Sequence, residues 1–138
     1  SPAITAKVLP IGATINMDGT ALYQGVTALF VAQAFGVDLH VVDYLTIISI
    51  ATLASIGTAG TPGTGLMLLT LTLTAVGLPL EGVALIAGID RILDMARTTV
   101  NVSGDILVSV LIARSEKELD LAIYHDASAG EDIDFTLR

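Results

Sequence analysis

Ser55-Ile56-Gly57-Thr58-Ala59-Gly60-Thr61-Pro62-Gly63-Thr64-Gly65 sits in the middle of an uncharged run of 37 residues, Tyr44 to Leu80. Four glycines and one proline fall within the nine residues 57–65. Such a stretch cannot continue a regular helix, because proline lacks the amide donor and glycine carries the largest entropic cost. The flanking arms, 44–56 and 66–78, hold 13 residues each. At about 1.5 Å per residue each arm reaches roughly 20 Å, short of the ~30 Å hydrocarbon core of a bilayer. Two half-length apolar arms joined by a glycine-rich tip read as a re-entrant hairpin. Non-helical backbone at membrane depth must be buried in protein or line a water-filled cavity, so the tip is a candidate site on geometry alone.

Composition places the hairpin in lipid. Of 138 residues, 53% are hydrophobic and 14% charged, and the mean hydropathy is +0.79. Charged residues make up about a quarter of an ordinary soluble domain, and a chain this small has too much surface for its volume to hide so many apolar groups in water. There is no cysteine, hence no disulfide framework and no thiolate metal site. The opening Ser1-Pro2-Ala3 lacks the pattern of a signal peptide and reads as a cut inside a longer protein. The net charge of −8 is uneven: residues 115–138 carry −5 and residues 1–114 carry −3. The acidity is mostly a tail. With no basic patch and no tryptophan, nucleic acid is not an expected partner.

Working outward from the hairpin, Gly19 to Val37 is a second uncharged run, 19 residues long, close to the ~20 needed to span a bilayer. Before it, Pro10-Ile11-Gly12-Ala13-Thr14-Ile15-Asn16-Met17-Asp18-Gly19 places two glycines, an Asn and an Asp in an apolar setting, which predicts a broken helix. On the other side, Gly77-Leu78-Pro79-Leu80 predicts a turn, and a helical pattern then runs from about Gly82 to Ala113. The expected fold is an all-α membrane protein. It comprises a broken transmembrane helix over about 1–36, a re-entrant helical hairpin over 44–78, a long amphipathic transmembrane helix over 81–114, and an acidic tail over 115–138. The tail is expected to begin with a short helical extension.

The last long helix carries a polar stripe. At 100° per residue from Asp90, Asp94 falls at 40°, Arg97 at −20°, Thr98 at 80°, Asn101 at 20° and Asp105 at 60°, all within about a 100° arc. Ionisable groups inside a membrane span are costly and face a bundle interior or an aqueous path. An arginine there presents a planar fork suited to a carboxylate, and an aspartate one turn away suits an ammonium group. The stripe therefore reads either as a receptor for a zwitterion with an extra carboxylate or as an intrahelical ladder, Asp90–Arg97 and Asp94–Arg97, that neutralises charge. Arg91 adds a second intramembrane cation, either modulating binding or release, or pairing with Asp90, or snorkelling its charge out of the apolar layer.

Enzyme constellations are not matched. Gly60-Thr61-Pro62-Gly63-Thr64-Gly65 has the spacing of a phosphate loop, but Leu66 and Met67 stand where Lys and Ser or Thr are required. His40 and His125 have no ligand spacing, and there is no Gly-x-Ser-x-Gly.

Three stretches, taken together, resemble the dicarboxylate/amino acid:cation symporters, the glutamate and aspartate transporter family. They are Asn16-Met17-Asp18-Gly19-Thr20, the tip Ser55-Ile56-Gly57-Thr58-Ala59-Gly60-Thr61-Pro62-Gly63, and Asp94-Met95-Ala96-Arg97-Thr98-Thr99-Val100-Asn101-Val102-Ser103-Gly104-Asp105. The resemblance covers roughly residues 3–115. It implies that the chain is the C-terminal part of a longer transporter, holding the seventh transmembrane helix, the second re-entrant hairpin and the eighth helix. That is the C-terminal half of a transport domain of a homotrimer whose scaffold lies elsewhere. It also implies a multi-pass protein of the cell (inner) membrane, in contact with lipid, with a cytoplasmic tail.

The resemblance further implies roles for single residues. Arg97 would pair with the substrate side-chain carboxylate and Asp94 with its amino group. Thr98, Asn101 and Thr20 would complete the pocket with the backbone at Thr61 and Gly65. Family members often carry an apolar residue where Thr61 stands. For one sodium ion, Asp105 would supply a carboxylate, with backbone oxygens of Gly12, Asn16 and Asn101. Backbone oxygens of Thr14, Ser55, Ile56 and Thr58 are implied for a second. Asn16 and Asp18 would join a third, though capping of the following helix also accounts for Asp18. Met17 would organise the ion sites. The implied function is symport of L-aspartate or L-glutamate with sodium ions, the tip 57–65 acting as a gate. Proton coupling, a C4-dicarboxylate substrate or a non-transporting membrane remnant are the alternatives.

Overall fold

The computed structural model describes residues 2–58, 61 and 63–129. Ala59, Gly60 and Pro62 of the expected gate, and the expected tail beyond Ala129, lie outside the described residues. Seven helices follow one another: α1 (Pro2–Ile15), α2 (Asp18–Ala34), α3 (Val41–Gly57), α4 (Thr64–Ala75), α5 (Glu81–Ala87), α6 (Asp90–Ser115) and α7 (Leu121–His125). Among the described residues there is no strand.

The chain leaves helical geometry at Asn16 and Met17, between α1 and α2. Met17 leaves the helical basin at φ −103° and ψ 60°, and its carbonyl accepts the amides of Thr20 and Ala21 at 3.0 and 3.2 Å to start α2. Upstream, α1 carries Pro10 in its interior, which costs it a backbone donor. After α2 the chain reverses at Gly36, where φ is +66°, with the Val37 amide closing on the Ala32 carbonyl at 2.8 Å. His40 then caps α3, its amide donating to Asp43 Oδ2 at 2.8 Å.

Two expectations shift. The arms of the glycine-rich tip are unequal: α3 has 17 residues and α4 has 12, because regular helix starts at Val41 and stops before the Gly77 turn. The helix expected over 81–114 is two helices. Gly88 weakens the helix, Ile89 departs to φ −120° and ψ 3°, and its carbonyl accepts the amides of Ile92 and Leu93 as α6 begins. Asp90 enters the first turn of α6 and Arg114 the last, both favoured by the helix dipole. With 26 residues α6 is about 39 Å long, more than the ~30 Å hydrocarbon core. Among the described helices it alone is long and apolar enough to cross a membrane.

Helix α2 occupies the centre and packs against α3, α4 and α6, while α1 lies against α6 and α3. Ala28, Val31 and Ala32 of α2 meet Ile47 of α3, Leu69 and Leu73 of α4, and Ile86 of α5 in one apolar cluster. Thr5 and Leu9 of α1 share a groove with Ser109 and Ala113 of α6, whereas Gly12 meets Asp105, so the two helices run antiparallel. Outward-facing Val41, Val42, Leu53, Met67 and Ile92 are each 70% or more exposed. Exposed large apolar side chains of this kind suit contact with lipid or further protein. Beyond α6, Lys117 takes a φ of 59°, the Glu118 amide closes on the Ala113 carbonyl at 2.9 Å, and Asp120 caps α7.

Helix α5 closely approaches α2 at Gly82. A Cβ on Gly82 would fall under 3.0 Å from both methyls of Val31. Gly82→Ala is expected to cost about 1–3 kcal/mol by overpacking, read as a lower thermal midpoint in detergent. Adding Val31→Ala in the same chain is expected to recover most of the loss, since the two substitutions share one space.

Candidate functional site

The break between α1 and α2, the glycine-rich connection from α3 to α4 and the middle of α6 meet around a cavity of about 250 Å³. Gly12, Ala13, Met17 and Thr20 come from the break; Thr58, Thr61 and Thr64 come from that connection. Asp94, Arg97, Thr98, Asn101, Val102 and Asp105 come from α6. The volume is below that of drug-sized pockets, which suits a small polar ligand.

Arg97 and Asp94 form an ion pair, with side chains only 10% and 18% exposed. The guanidinium lies over the Tyr23 ring, 5.5 Å from its centroid. Gly65 approaches it from behind so closely that a Cβ there would collide with Nη1. Tyr23 donates its hydroxyl to Asp90 Oδ1 at 2.7 Å. Of the two rungs expected for an intrahelical ladder, Asp94–Arg97 is formed, while Asp90 is held by Tyr23. Among the described residues the Arg97–Asp94 pair is the one ion pair, and Arg91 is exposed.

Asn101 ties α6 to α2. Its Oδ1 accepts the Gly19 amide at 2.8 Å, and its Nδ2 reaches Thr20 Oγ1 at 3.4 Å. One turn further, the buried Asp105 carboxylate accepts from Asn16 Nδ2 at 3.0 Å. Gly12 leaves room for that carboxylate, since a Cβ at position 12 would overlap it. Asp18 opens α2 with its carboxylate near Gly104.

The implied ligand sets are thus brought together unequally. Arg97, Asp94, Thr98, Asn101, Thr20 and Thr61 line one cavity, with Gly65 directly behind Arg97. Gly12, Met17 and Asp105 line the same space and Asn16 bonds Asp105. Of the four residues implied for the second ion, Thr58 alone lines the cavity. Thr14 is exposed and bonds its own helix at Ile11, Ser55 is buried with its hydroxyl on Thr52, and Ile56 is half exposed. Among the described residues no group of three His, Cys, Asp or Glu is placed to hold a metal. A single buried carboxylate beside the side-chain amide of Asn16 offers hard oxygen ligands, the type that alkali and alkaline-earth cations prefer.

Tyr23, Gln24 and Thr72 were not legible as site residues from motifs alone. Gln24 is fully buried; its Nε2 donates to the Gly65 carbonyl at 3.0 Å, and its Oε1 accepts the Thr72 hydroxyl at 3.0 Å. It fastens the first turn of α4 to α2 beside Arg97. The available signal was spacing: Thr20, Tyr23, Gln24 and Thr27 recur at i, i+3, i+4 and i+7 within an uncharged run, one polar face in an apolar helix.

A sequence model of the sodium:dicarboxylate symporter family matches residues 1–115. The chain is 46% identical over 113 residues to the proton/sodium-glutamate symport protein of Bacillus subtilis (strain 168), covering 82% of this chain and 26% of that protein. It is 46% identical over 118 residues to the proton/glutamate-aspartate symporter of Escherichia coli (strain K12), covering 86% of this chain and 27% of that protein. It is 52% identical over 118 residues to the excitatory amino acid transporter 3 of Mus musculus, covering 85% of this chain and 23% of that protein. The chain spans about a quarter of the length of these relatives.

Proposed function

The chain belongs to the sodium:dicarboxylate symporter family, and from that premise we propose that it forms the substrate and cation site of a secondary symporter for an acidic amino acid, L-aspartate or L-glutamate. The observation that carries this reading is the Arg97–Asp94 pair in a small cavity also lined by Thr20, Thr98 and Asn101. The pair presents a guanidinium and a carboxylate side by side. A ligand with a side-chain carboxylate and an ammonium group gives each of them a new partner, so neither charge is left unpaired when the substrate enters. A neutral amino acid satisfies only Asp94, and a plain dicarboxylate only Arg97. Hydroxyls and amides of Thr20, Thr98 and Asn101, with backbone at Thr61 and Gly65, serve the remaining carboxylate.

Cations are the co-transported cargo. Asp105, with backbone at Gly12, Asn16 and Asn101, is the first ion site of this reading. Backbone at Thr14, Ser55, Ile56 and Thr58 forms the second, and Asn16 and Asp18 contribute to a third. Half-helix ends and unwound backbone supply such oxygens in transporters of this kind. Met17, buried at the break, couples the ion sites to the cavity. Ion binding that favours the closed, substrate-competent arrangement raises apparent substrate affinity by linkage. In this reading α3 and α4 are the arms of a re-entrant hairpin whose tip gates the cavity. The full protein is a multi-pass homotrimer of the cell membrane, its outward apolar stripe covered by lipid and by the rest of the protein, and its tail is cytoplasmic.

Proton coupling is the second reading, favoured by the relative named for protons alone. The full-length parent, reconstituted in liposomes, distinguishes them by L-aspartate and L-glutamate uptake. Uptake driven by an inward sodium gradient is the expected result. Uptake driven only by a proton gradient would move the cargo from sodium to protons, and no uptake of either amino acid under either gradient would overturn the proposal.

A further inference from the structure

Arg91 is the one cation of the polar stripe that the substrate site above does not use. Counted from Asp90 at 100° per residue, the cavity-lining residues of α6 fall between −20° for Arg97 and about 120° for Val102. Arg91, at about 100°, lies inside that arc, between Thr98 and Val102 in angle. It stands one turn before Asp94, about 10 Å along the axis from Thr98. It therefore belongs to the cavity-facing side of α6, displaced toward the helix N-terminus. Unlike Arg97 it is exposed, and among the described residues it makes no ion pair. The nearest carboxylates on its helix are already engaged, Asp90 by Tyr23 and Asp94 by Arg97.

Charge explains what a cation there can do. Asp90, Asp94 and Asp105 against Arg97 alone leave this face of α6 at −2, in a chain of net −8. That field attracts the cation cargo and repels an anionic substrate. Arg91 halves the deficit to −1 and places positive charge on the cavity-facing side of α6, toward its N-terminus. Partly screened cations lining the way into a low-dielectric cavity raise association rates of anions, and the gain falls with ionic strength.

We propose that Arg91 is a capture residue, which speeds entry of the acidic amino acid and passes it to Arg97 without contacting it in the bound state. The proposal rests on the acidic-substrate reading above. The test is stopped-flow binding of L-aspartate to the full-length parent at low and high ionic strength, for wild type, Arg91→Lys and Arg91→Gln. The expected result is an association rate about 3–10-fold lower for Arg91→Gln at low ionic strength, with the dissociation rate unchanged. That gap should close at high salt, and Arg91→Lys should stay within about twofold of wild type, since only a point charge is needed. An Arg91→Gln association rate equal to wild type at low salt, a loss that does not depend on salt, or a loss carried by dissociation would each overturn the capture role and leave the substrate reading intact. Failure of the wild type to bind aspartate or glutamate at all would overturn both.

Discussion

Arg97→Lys is expected to raise the half-saturating concentration for L-aspartate uptake by about a hundredfold or more, and Arg97→Ala to remove saturable uptake. The geometry makes lysine a poor stand-in. The Arg97 guanidinium lies over the Tyr23 ring, 5.5 Å from its centroid, fits against a backbone that has only hydrogen at Gly65, and holds Asp94 while lining the cavity. A planar fork makes two parallel bonds to a carboxylate; an ammonium offers one point charge and a different shape. Alanine adds a second cost, because Asp94 is then left largely buried and unpaired, a defect of roughly 3–5 kcal/mol. That defect separates folding from binding. Asp94→Asn combined with Arg97→Gln removes both charges, so this double variant should unfold at a higher temperature than Arg97→Ala while still failing to transport. Near-native aspartate affinity in Arg97→Lys would refute the role given to the guanidinium.

How much of this was written in the chain is visible residue by residue. The stripe Asp94, Arg97, Thr98, Asn101 and Asp105 was legible because helical periodicity is fixed, and all five reach one cavity. The interruption at Asn16–Met17 was legible because polar and glycine residues have no place in an apolar span unless the backbone is used. The break at Gly88–Ile89 was missed: a single glycine is tolerated in many helices, and only tertiary packing, here α5 drawn onto Val31 through Gly82, decides where the helix yields. Gln24 was missed for a related reason. Its meaning lies in partners 41 and 48 residues away, Gly65 and Thr72, and no local pattern encodes a bond of that reach. The second ion set was named from resemblance alone, and only Thr58 of its four residues lines the cavity, since carbonyl direction at a helix end is a property of the tertiary arrangement.

Asp105→Asn is the second large effect expected, and it falls on the cation rather than on the amino acid. Asparagine keeps the size of the side chain, which matters because a Cβ on Gly12 would already overlap it, and its oxygen can still accept from Asn16 Nδ2. Packing and the α1–α6 contact should survive. What is lost is one full negative charge among hard oxygen ligands, a contact worth roughly 1.5–3 kcal/mol net. The sodium concentration giving half-maximal L-aspartate binding should therefore rise about 10- to 100-fold. Reciprocity fixes the rest: if sodium and aspartate favour each other, aspartate affinity at fixed sodium falls in the variant and returns at saturating sodium. A variant whose aspartate affinity is weak at every sodium concentration would place Asp105 in the substrate pocket. A variant with unchanged sodium dependence would remove it from the ion path, leaving its bond to Asn16 as a structural tie between α6 and the break. The dependence on sodium is thus read through the carboxylate that Gly12 and Asn16 hold in place.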